Sequence, residues 1–423
     1  MRALLFAFYL CAMHGIGNCQ GGGVLCNDGA GQFTAKFMTG VIVSVGAQRG
    51  ASFSTRACEA TLIWSRKVTQ VARDAQQVDV DLMGADVGLG VPVVAFQIRN
   101  SAFDASRNYE IYSLQGAPQL LRTITGGDSF RVADMDMDGQ VEIWTHDAKA
   151  ASGFEGIPLG DFDFPPTVVL RFEDRRLIDV SSEFRAEFDH QIAQVRGQLD
   201  SKQLAEFKQS DGKLERILPA EMSEMRDLMM AKIGALEIVW AYLYSGREQE
   251  AWHALAEMWP TADYDRIRGA IAAAQARGLR SEVDGIEPPN PTPRKKKHAQ
   301  VFNLAVLTKT IDPTRAGMTN LPDVHTNTAN SSPLPDVVGP QSIFLYLPTP
   351  QQVEDALPRA GVTVDLVIDD AGKVNSAGLV NKDENGTIGD SVLAASAGWK
   401  FIPAMRNGRA VASHIYLTVS PFQ

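Results

Sequence analysis

The chain is sparing with the residues that announce chemistry. It has four cysteines and seven histidines in 423 residues. It has no His-Glu-x-x-His, no glycine-rich phosphate loop and no nucleophile elbow, so the reading is of a non-enzyme. No cysteine or histidine pair has metal-ligand spacing. Positive charge is in deficit, with a net charge of −10, which argues against nucleic acid as partner. The apolar run Ala3 to Met13 is shorter than the roughly 20 residues a bilayer requires. After Met1-Arg2 it reads as a secretory leader, residues 1–19, cut near Gly17 to Cys19; lipidation of Cys19 is the alternative. No other hydrophobic run is long enough to cross a membrane.

Two cysteines fall in that leader. The remaining pair, Cys26 and Cys58, is expected to form a disulfide in an exported protein, with two small buried thiols as the alternative. The 45% apolar composition supports two or three domains, each with its own core. The expected order is a β-rich domain over 24–180, a helical region over 181–286, a Pro/Asn-rich linker over 287–340 and a small domain over 341–423. The fold class is therefore multidomain α+β.

Short β-branched and aromatic runs fill the first half, at 40–46, 60–64, 78–82, 91–98, 109–113 and 120–124. Their spacing of about ten residues predicts an all-β sandwich or a partial propeller. Within this part lies Asp134-Met135-Asp136-Met137-Asp138-Gly139-Gln140-Val141-Glu142. Three carboxylates at alternate positions repel one another unless a cation sits among them. Calcium takes about 6–8 oxygens, with Gly139 allowing the turn, Gln140 offering a carbonyl and Glu142 a further carboxylate. A solvated acidic turn is the alternative. A strand, not a helix, follows at Val141 to Thr145, which excludes an EF-hand. The segment resembles the calcium loop of FG-GAP/VCBS repeats. Asp79, Asp81 and Asp86 are at most a degenerate echo of it, and Asp161 and Asp163 read as an ordinary turn before a strand at 167–172.

The middle is helical. Phe184, Phe188, Ile192, Val195 and Leu199 recur every three or four residues, and further apolar helices are expected at 222–244, 247–258 and 263–277. Tyr242, Gly246, Ala251 and Pro260 resemble one TPR hairpin; one copy is too few for a solenoid, so a helical bundle is preferred. Glu287 to His298 is a proline-rich spacer ending in Arg294 to Lys297, Val301 to Thr308 has strand character, and 319–340 is a second spacer.

The tail carries the most specific pattern. Val362, Val364, Leu366 and Ile368 alternate with Thr363, Asp365, Val367 and Asp369; Asp369-Asp370-Ala371-Gly372 is a turn; Lys373 to Val380 returns. Asn385-Gly386 is expected to end the hairpin region, followed by a helix over 388–399, extended chain at 401–404, a turn at Asn407-Gly408 and a strand over 410–419. The Trp399-x-Phe401-x-Pro403-Ala404 run, then Asn407-Gly408 and a strand, resembles the C-terminal domain of TonB-type energy transducers. The resemblance covers about the last fifth of the chain. It implies a two-layer β-β-α-β domain outside the cytoplasm that takes an extended peptide from an envelope protein by strand addition. TonB-type transducers keep an uncleaved membrane anchor, whereas this leader reads as cleavable. The expected role is thus an exported periplasmic or envelope interaction protein. A membrane-anchored transducer and a calcium-dependent secreted enzyme are the alternatives.

Overall fold

The computed structural model describes residues 25–37, 39–48, 57–133, 140–214, 222–286, 307–309, 337–338, 341–344, 362–380, 382–406 and 409–419. They form a mixed α+β protein with two large sheets and two smaller ones.

The first strands are β1 (Cys26–Asn27), β2 (Gln32–Lys36), β3 (Ile42–Ala47), β4 (Cys58–Trp64) and β5 (Lys67–Ala75). Strands β2 to β5 pair antiparallel in chain order. A second series follows: β6 (Gln77–Ala85), β7 (Val93–Arg99), β8 (Arg107–Ser113), β9 (Leu120–Ala133), β10 (Glu142–His146), β11 (Thr167–Glu173) and β12 (Arg176–Asp179). These run as one antiparallel meander, with β1 on the outer side of β6. Neighbours in sequence are neighbours in space because short turns suffice to join antiparallel strands. One such turn, between β4 and β5, places Ser65 and Arg66 at positive φ, as a tight primed hairpin requires.

The meander has two buried faces. On one, Val78, Val80, Phe96 and Ile98 meet Phe33, Val43, Val45 and Leu62 of the first sheet in a shared apolar cluster. Cys26 on β1 and Cys58 on β4 form a disulfide across the two sheets, with Cα atoms 5.9 Å apart. Closing a loop 32 residues long constrains the unfolded chain by about 3–4 kcal/mol. On the other face the strands pack against helices: α1 (Ala148–Ala151), α2 (Arg185–Gln198), α3 (Ser201–Phe207), α4 (Met222–Tyr244), α5 (Glu248–Met258) and α6 (Tyr264–Arg277). Phe184, Phe188, Ile192, Leu236, Trp240 and Trp259 belong to the same cluster as Ile111, Ile143, Val168 and Leu170. The β-rich part and the helical region therefore share one continuous core, and β13 (Gly285–Ile286) returns to pair with β12. Helices α4 and α5 form a hairpin joined through residues 245–247, and Gly278 follows α6.

The tail contains β14 (Leu307–Lys309), β15 (Val337–Val338), β16 (Gln341–Phe344), β17 (Val362–Ile368), β18 (Val374–Leu379), α7 (Lys382–Ser396), β19 (Lys400–Ile402), β20 (Ala404–Arg406), β21 (Arg409–Val411) and β22 (Ser413–Val419). The hairpin, helix and closing strand follow the expected order. Two details differ. Asn385 and Gly386 lie within α7 rather than in a turn, a case of tertiary packing overriding weak helix propensity. The single strand expected over 410–419 is divided at Ala412 into β21 and β22, which join different sheets. The β20–β21 hairpin extends the first sheet, with β21 parallel to β2 at Thr34 and Arg409. Ile402 enters the large cluster and Ala410 packs against the intersheet cluster. Among the described residues, no helix is long and apolar enough to cross a membrane.

Candidate functional site: the border of the tail sheet

The alternation in Val362–Ile368 puts Val362, Val364, Leu366 and Ile368 on one side of β17, all fully buried. They pack with Ile415 and Leu417 of β22, with Val392 and Ala395 of α7, and with Trp399 just beyond that helix. Burial of these side chains, worth about 1.5–3 kcal/mol each, is what fastens the helix to the sheet.

The β17–β18 turn is built by Asp369. Its Oδ1 accepts N–H bonds from Ala371 at 3.0 Å and Lys373 at 2.8 Å, while its own N–H donates to the Lys373 carbonyl at 2.9 Å. Gly372 has φ +78°, and a Cβ there would lie 1.8 Å from the Phe401 carbonyl oxygen. The glycine is thus required twice, by its dihedral and by the close passage of Phe401, whose N–H donates to the Gly372 carbonyl at 2.9 Å. This contact locks the Trp399-x-Phe401-x-Pro403 run against the hairpin.

The sheet order is β14, β22, β17, β18. Strand β18 has no further strand on its outer side among the described residues. On the opposite border, Leu307, Thr308 and Lys309 face Thr418, Leu417 and Tyr416 in antiparallel register. Beside this border, His414 is almost fully buried and its Nε2 meets Asp365 Oδ1 on the neighbouring strand. The His414 ring also lies 5.2 Å from that of Tyr416. What this arrangement offers chemically is main-chain donors and acceptors along an edge, the basis of recognition by strand addition.

The acidic loop is placed only in part. Asp134, Asp136, Asp138 and Gly139 lie outside the described residues. Gln140 is exposed. Glu142 points into the protein, its carboxylate fully buried and 3.5 Å from Arg171, its cross-strand partner. Arg171 also holds Glu183, through bonds of 2.9 and 3.1 Å, and Glu173 at 2.9 Å. These carboxylates raise the guanidinium further above its ordinary range, against the effect of burial. Glu142 therefore has an arginine for its counter-charge, and its carboxylate does not fit the role of a loop calcium ligand. Among the described residues, no group of three or more His, Cys, Asp or Glu side chains could hold a metal ion.

The burial of several polar groups was not read from the sequence. Asp79 and Asp81 lie on the helix-facing side of β6, where Tyr109 donates its hydroxyl to Asp81 at 2.8 Å and stacks on Phe130. Burial pushes the Asp81 carboxyl up to about 7; burial and the Asp81 charge raise Asp79 as well. Glu237 of α4 accepts the Phe164 N–H at 2.8 Å and is pushed up to about 7, chiefly by burial. That bond fixes the turn after Asp161 and Asp163, which is an ordinary connection into β11. Asp147 caps α1 and accepts from Tyr244 at 2.8 Å and from the Leu279 N–H at 2.9 Å, tying the meander to the helices. The available signal for Asp79 and Asp81 was two acids in the otherwise apolar run Val78 to Met83.

Comparison with known proteins returns nothing: no family model, no curated protein and no solved structure matches this chain.

Proposed function

We propose that this is an exported protein of the periplasm or cell envelope that captures an extended segment of another envelope protein by strand addition to its tail sheet. The observation carrying this reading is that the β22 border takes up a short strand from a distant part of the chain. Strand β14 meets this sheet only at its edge, through main-chain pairing with Tyr416 to Thr418. A border that accepts one extended segment in this way is suited to another. The TonB-like pattern of residues 399–408 and the Cys26–Cys58 disulfide of an oxidising compartment support the same reading. Calcium at Asp134, Asp136, Asp138 and the Gln140 carbonyl belongs to the proposal as a stiffener of the loop between β9 and β10, without a catalytic role.

The test is capture from an envelope extract by the full chain and by two variants, Tyr416→Pro and Leu417→Pro. Successive residues of a strand aim their N–H groups to opposite sides, so one of the two removes an outward donor. The expected result is that this variant loses the captured protein while hydrogen exchange shows Val362 to Ile368 still protected. Capture unaffected by either proline refutes border pairing.

A further inference from the structure

We propose that the cleft between the β7–β8 turn and α1 binds a neutral oligosaccharide, with the Phe103 ring as its stacking platform. This site stands apart from the tail sheet and does not depend on the strand-addition reading.

The cleft has a volume of about 480 Å³, within the roughly 300–1,000 Å³ of small-molecule sites. The turn from Phe103 to Ser106 forms one wall, Thr125 and Gly126 of β9 the floor, and Lys149 and Ser152 the far wall. Phe103 is 97% exposed. The backbone beneath it is nonetheless held by its own turn. The Phe103 N–H donates to Ser101 Oγ at 3.2 Å, and the Asp104 N–H to the Ser101 carbonyl at 3.1 Å. In return the Ser101 N–H donates to Asp104 Oδ2 at 3.0 Å. A flat apolar ring this exposed adds little to the fold, since an aromatic side chain stabilises by being covered. A ligand that covers it at the rim of a cleft supplies that burial.

The floor is shaped for close approach. Gly126 has φ +81°, and a Cβ there would lie 3.1 Å from Lys149 Cδ and 3.2 Å from Lys149 Cβ. The aliphatic stem of Lys149 therefore lies over the glycine, while its ammonium donates to Glu282 at 3.0 Å. Glu282 also accepts from Thr125, whose N–H lies at 3.2 Å and hydroxyl at 2.5 Å.

The groups left to the cleft select the ligand. Lys149 has Glu282 as its counter-charge, and Asp104 keeps Oδ1 as an acceptor, so the lining does not favour an anion. Ser106 and Ser152 bring hydroxyls that both donate and accept. A wholly apolar ligand would strip water from these groups without replacing its hydrogen bonds. A pyranose ring fits both demands, because it presents C–H groups on one face and hydroxyls around its rim.

The probes are two neutral tetrasaccharides, cellotetraose and tetra-N-acetylchitotetraose, added to the full chain. Saturation-transfer NMR and calorimetry are expected to show at least one of them binding with a Kd of about 1 mM. Phe103→Ala is expected to weaken that binding at least about tenfold, whereas Phe103→Trp, with a larger flat face, binds at least as tightly. Phe103→Leu keeps an apolar side chain without the flat face and should fall with alanine. The exposure of Phe103 means that all three variants should melt as the wild type does. No binding of either tetrasaccharide to the wild type up to about 10 mM, or equal binding by wild type and Phe103→Ala, overturns the site. Full affinity in Phe103→Leu overturns the stacking platform. Tetragalacturonic acid is expected to bind more weakly than the neutral sugars, and equal or tighter binding overturns the neutral class. Loss of capture at the tail sheet would leave each of these results as it is.

Discussion

Replacing Arg171 by methionine is the sharpest probe of how the meander is held together. The side chain is 2% exposed, and two of its carboxylate partners, Glu142 and Glu183, are 0% and 2% exposed. Methionine retains much of the volume, so cavity formation contributes little and the effect is electrostatic. Taking one partner from a buried pair leaves uncompensated charge in a poorly solvated place, which costs about 3–5 kcal/mol. The intact cluster need not be worth that much, because its formation already includes the desolvation of all four groups. For a unit of this size each kcal/mol lowers the melting temperature by about 2–4 °C, so a fall of roughly 6–20 °C is expected at pH 7.5 by circular dichroism. The loss should shrink as pH falls, since a buried carboxylate deprived of its cation takes up a proton and becomes neutral. Neutralising the acids as well, in R171M/E142Q/E183Q, should recover more than half of the loss. A change below about 1 kcal/mol, or one that does not diminish in acid, would refute the assignment of Arg171 as the buried counter-charge.

Two further predictions follow from the other carboxylates. The Asp81 carboxyl is pushed by burial from 3.8 to about 7, so the folded state holds its proton more tightly than the unfolded one. Its contribution is complete below the unfolded value and is lost as pH rises through about 7, by an amount of order 4 kcal/mol. Asp81→Asn keeps an acceptor for Tyr109 and removes the titration; relative to wild type it should be more stable at pH 8 than at pH 5 in urea unfolding, and equal effects at both pH values would contradict this. For the acidic loop, chelator is expected to lower the wild-type melting temperature and to leave Asp134→Ala/Asp138→Ala unchanged; an identical wild-type curve with and without chelator removes calcium from the proposal.

Most elements were legible in the sequence, for local reasons. Strands β6 to β11 of the meander, helices α2 and α4 to α6 and the β17–β18 hairpin follow from periods of two and 3.6, which reflect which side chains can share a face. The Asp369–Gly372 turn was legible because its chemistry lies within four residues. Strand β5 went unread: Lys67–Ala75 lies at the edge of its sheet and mixes charged with apolar residues, so its alternation is weak. Asn385-Gly386 misled because turn propensity is modest against the packing of a whole helix.

The candidate site was legible as a kind of sheet but not as a border in a particular state. Alternation in Val362–Ile368 determined that a strand forms and which side it buries. It carried no information on what lies along the edge, because main-chain pairing depends little on side-chain identity and leaves no pattern of its own. Glu142 shows the same limit: beside three aspartates it reads as a calcium ligand, and only the cross-strand register with Arg171 turns it inward. What the sequence determined alone is local periodicity, turns and the oxidisable cysteine pair. The tertiary structure decided the fusion of β and helical parts into one core, the partner of each buried charge, and the pairing of Leu307–Lys309 with β22. Each of these joins residues far apart in the chain, through contacts that no short window of sequence contains.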